Sequence, residues 1–150
     1  MKQIIALGGG GFFMEPHNPL LDTYILQQSN KANPKICFVP TASGDSENYM
    51  ARFYSFFDSQ SCVPSHLSLF SPPTRDLESF IMEKDIIYVG GGNTKLSSGI
   101  AADDGVAVHY IDQEIHKIVS SKPNGKAYKV SLDKEINEEE LAVKYLGTID

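Results

Sequence analysis

No apolar run in this chain approaches the roughly 20 residues that a membrane-spanning helix requires, which excludes a membrane protein of that kind. The N-terminus also lacks a leader pattern. Ile4-Ile5-Ala6-Leu7 is too short for a signal-peptide core and no small-residue cleavage site follows it, so the cytosol is the expected location. Cysteine is scarce. Cys37 lies in an apolar, strand-like run and Cys62 follows a polar stretch, which fits buried or free thiols rather than a disulfide framework. Basic residues are outnumbered, 13 Lys and Arg against 19 Asp and Glu, and nowhere clustered, so the phosphates of a nucleic acid would find no electrostatic footprint. No His, Cys and Asp set has metal-ligand spacing such as H-E-x-x-H or C-x-x-C, and neither a metal nor a cofactor is expected.

The nucleotide-binding motifs are missing as well. G-x-x-x-x-G-K-[ST] does not occur, and Gly8 to Gly11 departs from G-x-G-x-x-G at Phe13, with no acidic residue closing the second strand to hold a ribose. These glycines are left as tight turns at a strand end or as the wall of a ligand cleft at the carboxyl edge of a sheet.

What is present is the composition of a globular domain. With 150 residues, 41% hydrophobic and 21% charged, the chain is of single-domain size, long enough to remove about two-thirds of its unfolded surface from water. The first half alternates β-branched runs with helical spacing, the signature of a parallel sheet built from crossover units. Strands are expected over Gln3 to Leu7, Lys35 to Val39, Ser65 to Phe70 and Asp85 to Val89, the last buried on both faces. Helices are expected from Leu20, Asn48 and Thr74.

After Val89 the alternation stops, because residues 90–104 contain three leading glycines and no helical periodicity. Beyond it the pattern reads as antiparallel: Val106 to Tyr110, a turn at Ile111 to Glu114, Ile115 to Val119, a Pro123-Asn124-Gly125 turn and Ala127 to Leu132. Glu138 to Tyr145 is expected to form a short terminal helix.

The segment Val89-Gly90-Gly91-Gly92-Asn93-Thr94 resembles the Gly-Gly-Gly-Asn-Thr signature of the peptidase E family and its cyanophycinase relatives. Ile5-Ala6-Leu7-Gly8-Gly9-Gly10 and Phe38-Val39-Pro40-Thr41-Ala42-Ser43 resemble the Firmicute branch, and the likeness resumes at Ala101-Ala102-Asp103-Asp104-Gly105. The resemblance implies an α/β fold, the three-layer parallel sheet of class I glutamine amidotransferase-like proteins, here truncated and with an antiparallel C-terminal extension. It implies hydrolysis of Asp-Xaa dipeptides by a serine nucleophile, with a small peptide as substrate or ligand.

The resemblance places backbone oxyanion donors at Gly91, Gly92 and Asn93; such donors contribute about 3–4 kcal/mol of transition-state stabilisation. It places the triad acid at Asp104, although Asp103-Asp104 also reads as a polar turn into a strand. The family's nucleophile sits on a Gly-x-Ser-Ala-Gly elbow with a histidine further on, and the chain has neither. Ser97 and Ser98 have no glycine two positions earlier, and His17, His66, His109 and His116 match none of the family's histidine contexts. His109 reads as a satisfied structural side chain.

The elbow and histidine segment is therefore expected to be missing between about residues 95 and 101 of a single peptidase E-like domain. No nucleophile is assigned, and an inactive chain is expected. A non-catalytic ligand-binding or regulatory module is the alternative, followed by a residual hydrolase using Ser97 or Ser98 or completing its site across an oligomer. The strand and helices lost with that segment would leave a sheet edge uncovered, so low stability or a homo-oligomer is expected.

Overall fold

A computed structural model describes residues 2–91, 99–132 and 136–148. The chain forms two compact units, residues 24–94 in one and residues 1–23 with 95–150 in the other.

In the first of these, β2 (Lys35–Val39) is the central strand of a three-stranded parallel sheet, flanked by β3 (Val63–His66) and β4 (Ile86–Val89). Ile36, Cys37 and Phe38 are fully buried, as the continuous apolar run of a central parallel strand requires. The register sets Ile36 beside Ile86 and Phe38 beside Tyr88, so these side chains share one face. Helix α3 (Glu47–Phe57) brings Phe53 and Phe57 to that aromatic core: Phe53 stacks on Phe38 at 5.0 Å between ring centroids, and Phe57 meets Tyr88 edge-on at 6.1 Å. Helix α4 (Leu77–Met82) starts at Asp76, whose carboxylate accepts from Ser79 N at 3.0 Å and so satisfies an otherwise orphaned donor.

β4 departs from expectation. It is an edge strand of this sheet, and Ile87 and Val89 are 40% and 65% exposed, so burial on both faces is not what its apolar run achieves. β3 also lies earlier than Ser65 to Phe70, because Val63 N is fixed to Pro34 O at 2.8 Å and starts the ladder there.

The second unit holds a four-stranded sheet in the order β1 (Gln3–Leu7), β6 (Val106–Ile111), β7 (Glu114–Ser120), β10 (Lys144–Tyr145). Its other sheet runs β5 (Gly99–Ala102), β8 (Ala127–Leu132), β9 (Ile136–Leu141). The chain is thus α/β with mixed sheets. The expectation that β1 joins the parallel sheet is corrected: β1 pairs antiparallel with β6, Ile5 opposite His109 and Gln3 opposite Ile111. β6 is the reason, since it is almost wholly apolar, buried from Val106 to His109, and needs a partner on each edge. A turn at Asp112, with φ 54°, links β6 to β7 as expected of the hairpin.

The terminal helix is corrected too. Residues 136–141 form β9, in which Glu139 faces Lys129 of β8 and Lys126 Nζ lies 3.6 Å from Glu140 Oε1. These pairings set local helix propensity aside. Val106, Val108, Ile118 and Ala127 form the core of this unit, with Ile100, Ala102, Tyr110, Leu141 and Val143 packed on it. The segment Gly11–Met14 forms a single turn, α1, after β1, and α2 spans Leu20–Gln27.

Candidate functional site

At the carboxyl end of β1 the backbone runs flat against the turn before β6. Gly8 N donates to Val106 O at 2.9 Å and Gly105 N to Gly9 O at 3.2 Å. A Cβ on Gly8 would strike the carbonyls of Ala102 and Asp103, and one on Gly9, at φ 138°, would strike the Asp104 carboxylate. Glycine is required there for close backbone approach. Asp104 is exposed on that turn. Asp103 is tied down: its Oδ2 accepts from Lys126 N at 3.0 Å, and its N donates to Lys126 O at 3.0 Å.

Next to this turn lies a cluster that the sequence reading missed. Glu15 Oε2 accepts from Ser121 Oγ at 2.7 Å and from Asn18 Nδ2 at 3.4 Å, while Glu15 Oε1 pairs with Lys122 Nζ at 2.9 Å. That hydrogen bond to Glu15, aided by the charges of Asp104 and Asp103, pushes the Lys122 ammonium above the ordinary lysine range. An open cleft of about 580 Å³ is lined by Asp103, Asp104, Lys122, Pro123, Asn124 and Gly125. No periodic pattern marks Glu15, an isolated acid before Pro16, so only its partners reveal it.

The other unit presents its own strand ends. Gly90 N donates to Val39 O at 3.0 Å and Leu67 N to Phe38 O at 2.8 Å, which brings the exits of β2, β3 and β4 together. A Cβ on Gly90 would lie 3.2 Å from the Phe38 ring, whereas one on Gly91 would meet nothing within 4 Å among the described residues. The loop after β2 turns through Thr41–Ser43 and places Gly44 and Asp45 at φ 67° and 52°. Asp45 Oδ2 accepts from Ser68 Oγ and from Phe70 N. Thr41 Oγ1 and Asp45 Oδ1 are shielded from solvent with no hydrogen-bond partner among the described residues.

Of the residues assigned by resemblance, Asp104 belongs to one unit and Gly91 to the other, while Gly92, Asn93, Ser97 and Ser98 lie outside the described residues. His109 is buried on β6 with Nε2 2.9 Å from Gln3 Oε1; burial, then His116 and Lys117, lower its pKa. His66 Nδ1 lies 2.8 Å from the Tyr54 hydroxyl, and His17 and His116 are exposed. Cys37 and Cys62 are free thiols. Among the described residues no group of three acidic, histidine or cysteine side chains could hold a metal ion, and no helix is long and apolar enough to cross a membrane.

Residues 4–96 match peptidase family S51. The uncharacterized peptidase YgaJ of Bacillus subtilis (strain 168) is 40% identical over 230 residues, covering 98% of this chain and 100% of that protein. No solved structure matches significantly. The family match includes the first-strand, Phe38 to Ser43 and Gly90 to Thr94 segments that carry the peptidase E resemblance. The chain belongs to peptidase family S51.

Proposed function

We propose that this chain is a non-hydrolysing member of its peptidase family: one cytosolic domain of class I glutamine amidotransferase-like descent, lacking the nucleophile elbow and catalytic histidine between about residues 95 and 101. One observation carries the reading. The Bacillus relative aligns over 230 residues, 80 more than the 150 of this chain, although the alignment reaches almost every residue here and all of the relative. Such a surplus supports an internal loss, and the family match stops at residue 96, beside the expected junction.

Serine-type acyl transfer needs a hydroxyl, an imidazole to take its proton, a carboxylate to orient that imidazole and donors for the oxyanion. Asp104 would be the orienting acid, with Gly91, Gly92 and Asn93 as donors. Without an imidazole to orient, the carboxylate has no catalytic task. The histidines of the chain support this view: His109 is engaged with Gln3 and His66 with Tyr54. The ancestral substrate class is the Asp-Xaa dipeptide. Incubation of the purified chain with such dipeptides tests the proposal: product at the buffer-blank level is expected, and turnover proportional to protein concentration would refute it.

A ligand-binding module is the second reading, favoured by Thr41 Oγ1 and Asp45 Oδ1, two shielded polar atoms without partners among the described residues at the carboxyl end of β2. It predicts a saturable rise in melting temperature with acidic dipeptides, since a ligand bound only by the folded chain stabilises it. An unchanged melting temperature at saturating dipeptide would reject it.

A further inference from the structure

We infer that Asn124 is a built-in site of spontaneous deamidation, with water as the co-substrate, in the wall of the Asp103, Asp104 and Lys122 cleft. Asn124 precedes Gly125 in the turn that leads out of β7, and it is exposed. The reaction requires the backbone nitrogen of the following residue to reach the side-chain amide carbon. Glycine offers the least obstruction, having no Cβ. The nitrogen of Gly125 is weakly held: it donates to Lys122 O at 3.4 Å, well beyond the usual 2.9–3.0 Å of an N–H···O bond.

The step balances without any oxidant. Gly125 N loses its proton and bonds to Asn124 Cγ, the Cγ–Nδ2 bond breaks, and ammonia leaves with that proton. Water then opens the resulting succinimide. Cleavage at the Cγ–N bond gives aspartate, and cleavage at the α-carbonyl gives isoaspartate with the chain rerouted through the side chain. Either product adds a carboxylate to a cleft that already holds Asp103 and Asp104 and so draws on the same Lys122 charge.

Two features make the site specific. The glycine is sterically fixed, because a Cβ on Gly125 would strike Ser120 Oγ and the Val106 side chain. A residue that slows the reaction therefore cannot replace it without disturbing the end of β7. Asp104 lines the same cleft and, followed by Gly105, could form the analogous succinimide by loss of water, but Gly105 N is engaged with Gly9 O at 3.2 Å and the Gly105 φ is 86°. The turn at Asn124 reacts while its neighbour is held.

Ageing the full chain at mildly alkaline pH, folded and in urea, with peptide mapping for amide-to-acid conversion and for isoaspartate, tests this. In the folded chain Asn124 converts ahead of every other asparagine and at a rate close to that of the unfolded chain, while Asp104 isomerises only in urea. Asn124→Gln abolishes the new acidic species on ion exchange, and Asn124→Asp reproduces the elution of the aspartate product. Retention of the Asn124 amide in the folded chain while the unfolded chain converts would overturn the inference, as would earlier conversion at another asparagine.

Discussion

Lys122 Nζ lies 2.9 Å from Glu15 Oε1, and this contact ties the turn after β7 to the segment that leaves the glycine loop. Glu15 is the more buried partner, its side chain 12% exposed against 48% for Lys122, and it also holds Ser121. Glu15→Ala should lower unfolding stability by about 1–3 kcal/mol in urea titration, the range for losing a hydrogen-bonded charged partner. Lys122 has a folded pKa above its unfolded value. Its contribution is therefore complete below the unfolded lysine pKa and disappears as pH rises through the higher folded one. Glu15→Gln should flatten that alkaline decline; an unchanged decline would remove Glu15 as its cause.

The glycines of the first loop and of the β4 exit should differ in tolerance. Gly9→Ala adds a Cβ at φ 138° against the Asp104 carboxylate and should cost about 1–3 kcal/mol. Gly91→Ala meets no neighbour within 4 Å among the described residues and should stay within about 0.5 kcal/mol of the parent. Equal denaturation midpoints for the two variants would contradict the conformational restriction described at Gly9.

His109 supplies an acid-side prediction. Burial lowers its folded pKa, so the stability it contributes is present above the unfolded value of about 6.5 and is lost as pH falls through the lower folded one. The urea midpoint should fall on going from neutral to mildly acidic pH, and His109→Gln should reduce that fall. A slope unchanged by the substitution would assign the acid sensitivity to other groups.

Ile87 and Val89 alternate onto a single exposed side of β4, an edge strand that carries neither a charge nor a proline. Natural edges are usually blunted by such residues, and β3, at the opposite edge, has Pro64. We expect concentration-dependent self-association in light scattering, weakened by Val89→Lys. A parent chain that stays monomeric at high concentration would exclude it.

The sequence made the parallel β2 and β4 strands legible, because both show uninterrupted apolar runs ending in turn residues. It also located the β6–β7 hairpin at Asp112; at Pro123-Asn124-Gly125 the chain does turn, but not as a hairpin, because β7 and β8 pair with other strands in different sheets. Strand partnership was not legible: Gln3 to Leu7 has the β period, but nothing in that period distinguishes a parallel neighbour from the antiparallel β6 that it joins. β4 misled because apolar composition reports what a strand can bury, and an edge position leaves Ile87 and Val89 in solvent. The helix expected over Glu138 to Tyr145 misled for the opposite reason, since the helix-favouring run Glu138-Glu139-Glu140-Leu141 became part of a strand through partners on β8. At the candidate sites, motifs drew attention to Asp104 and Gly91, while Glu15, Ser121 and Lys122 carry no motif and emerge only through contacts of distant residues.

The central claim, a family S51 chain without a working nucleophile, is tested most directly by intact-mass analysis after exposure to a serine-directed phosphonate. Mutational loss of triad members in serine hydrolases leaves about 10³–10⁴-fold catalysis over water from binding and oxyanion contacts, without a reactive hydroxyl. The predicted result is an unshifted mass for the folded chain. Stoichiometric labelling at Ser97 or Ser98, abolished by alanine at the same position, would contradict it and identify a residual hydrolase.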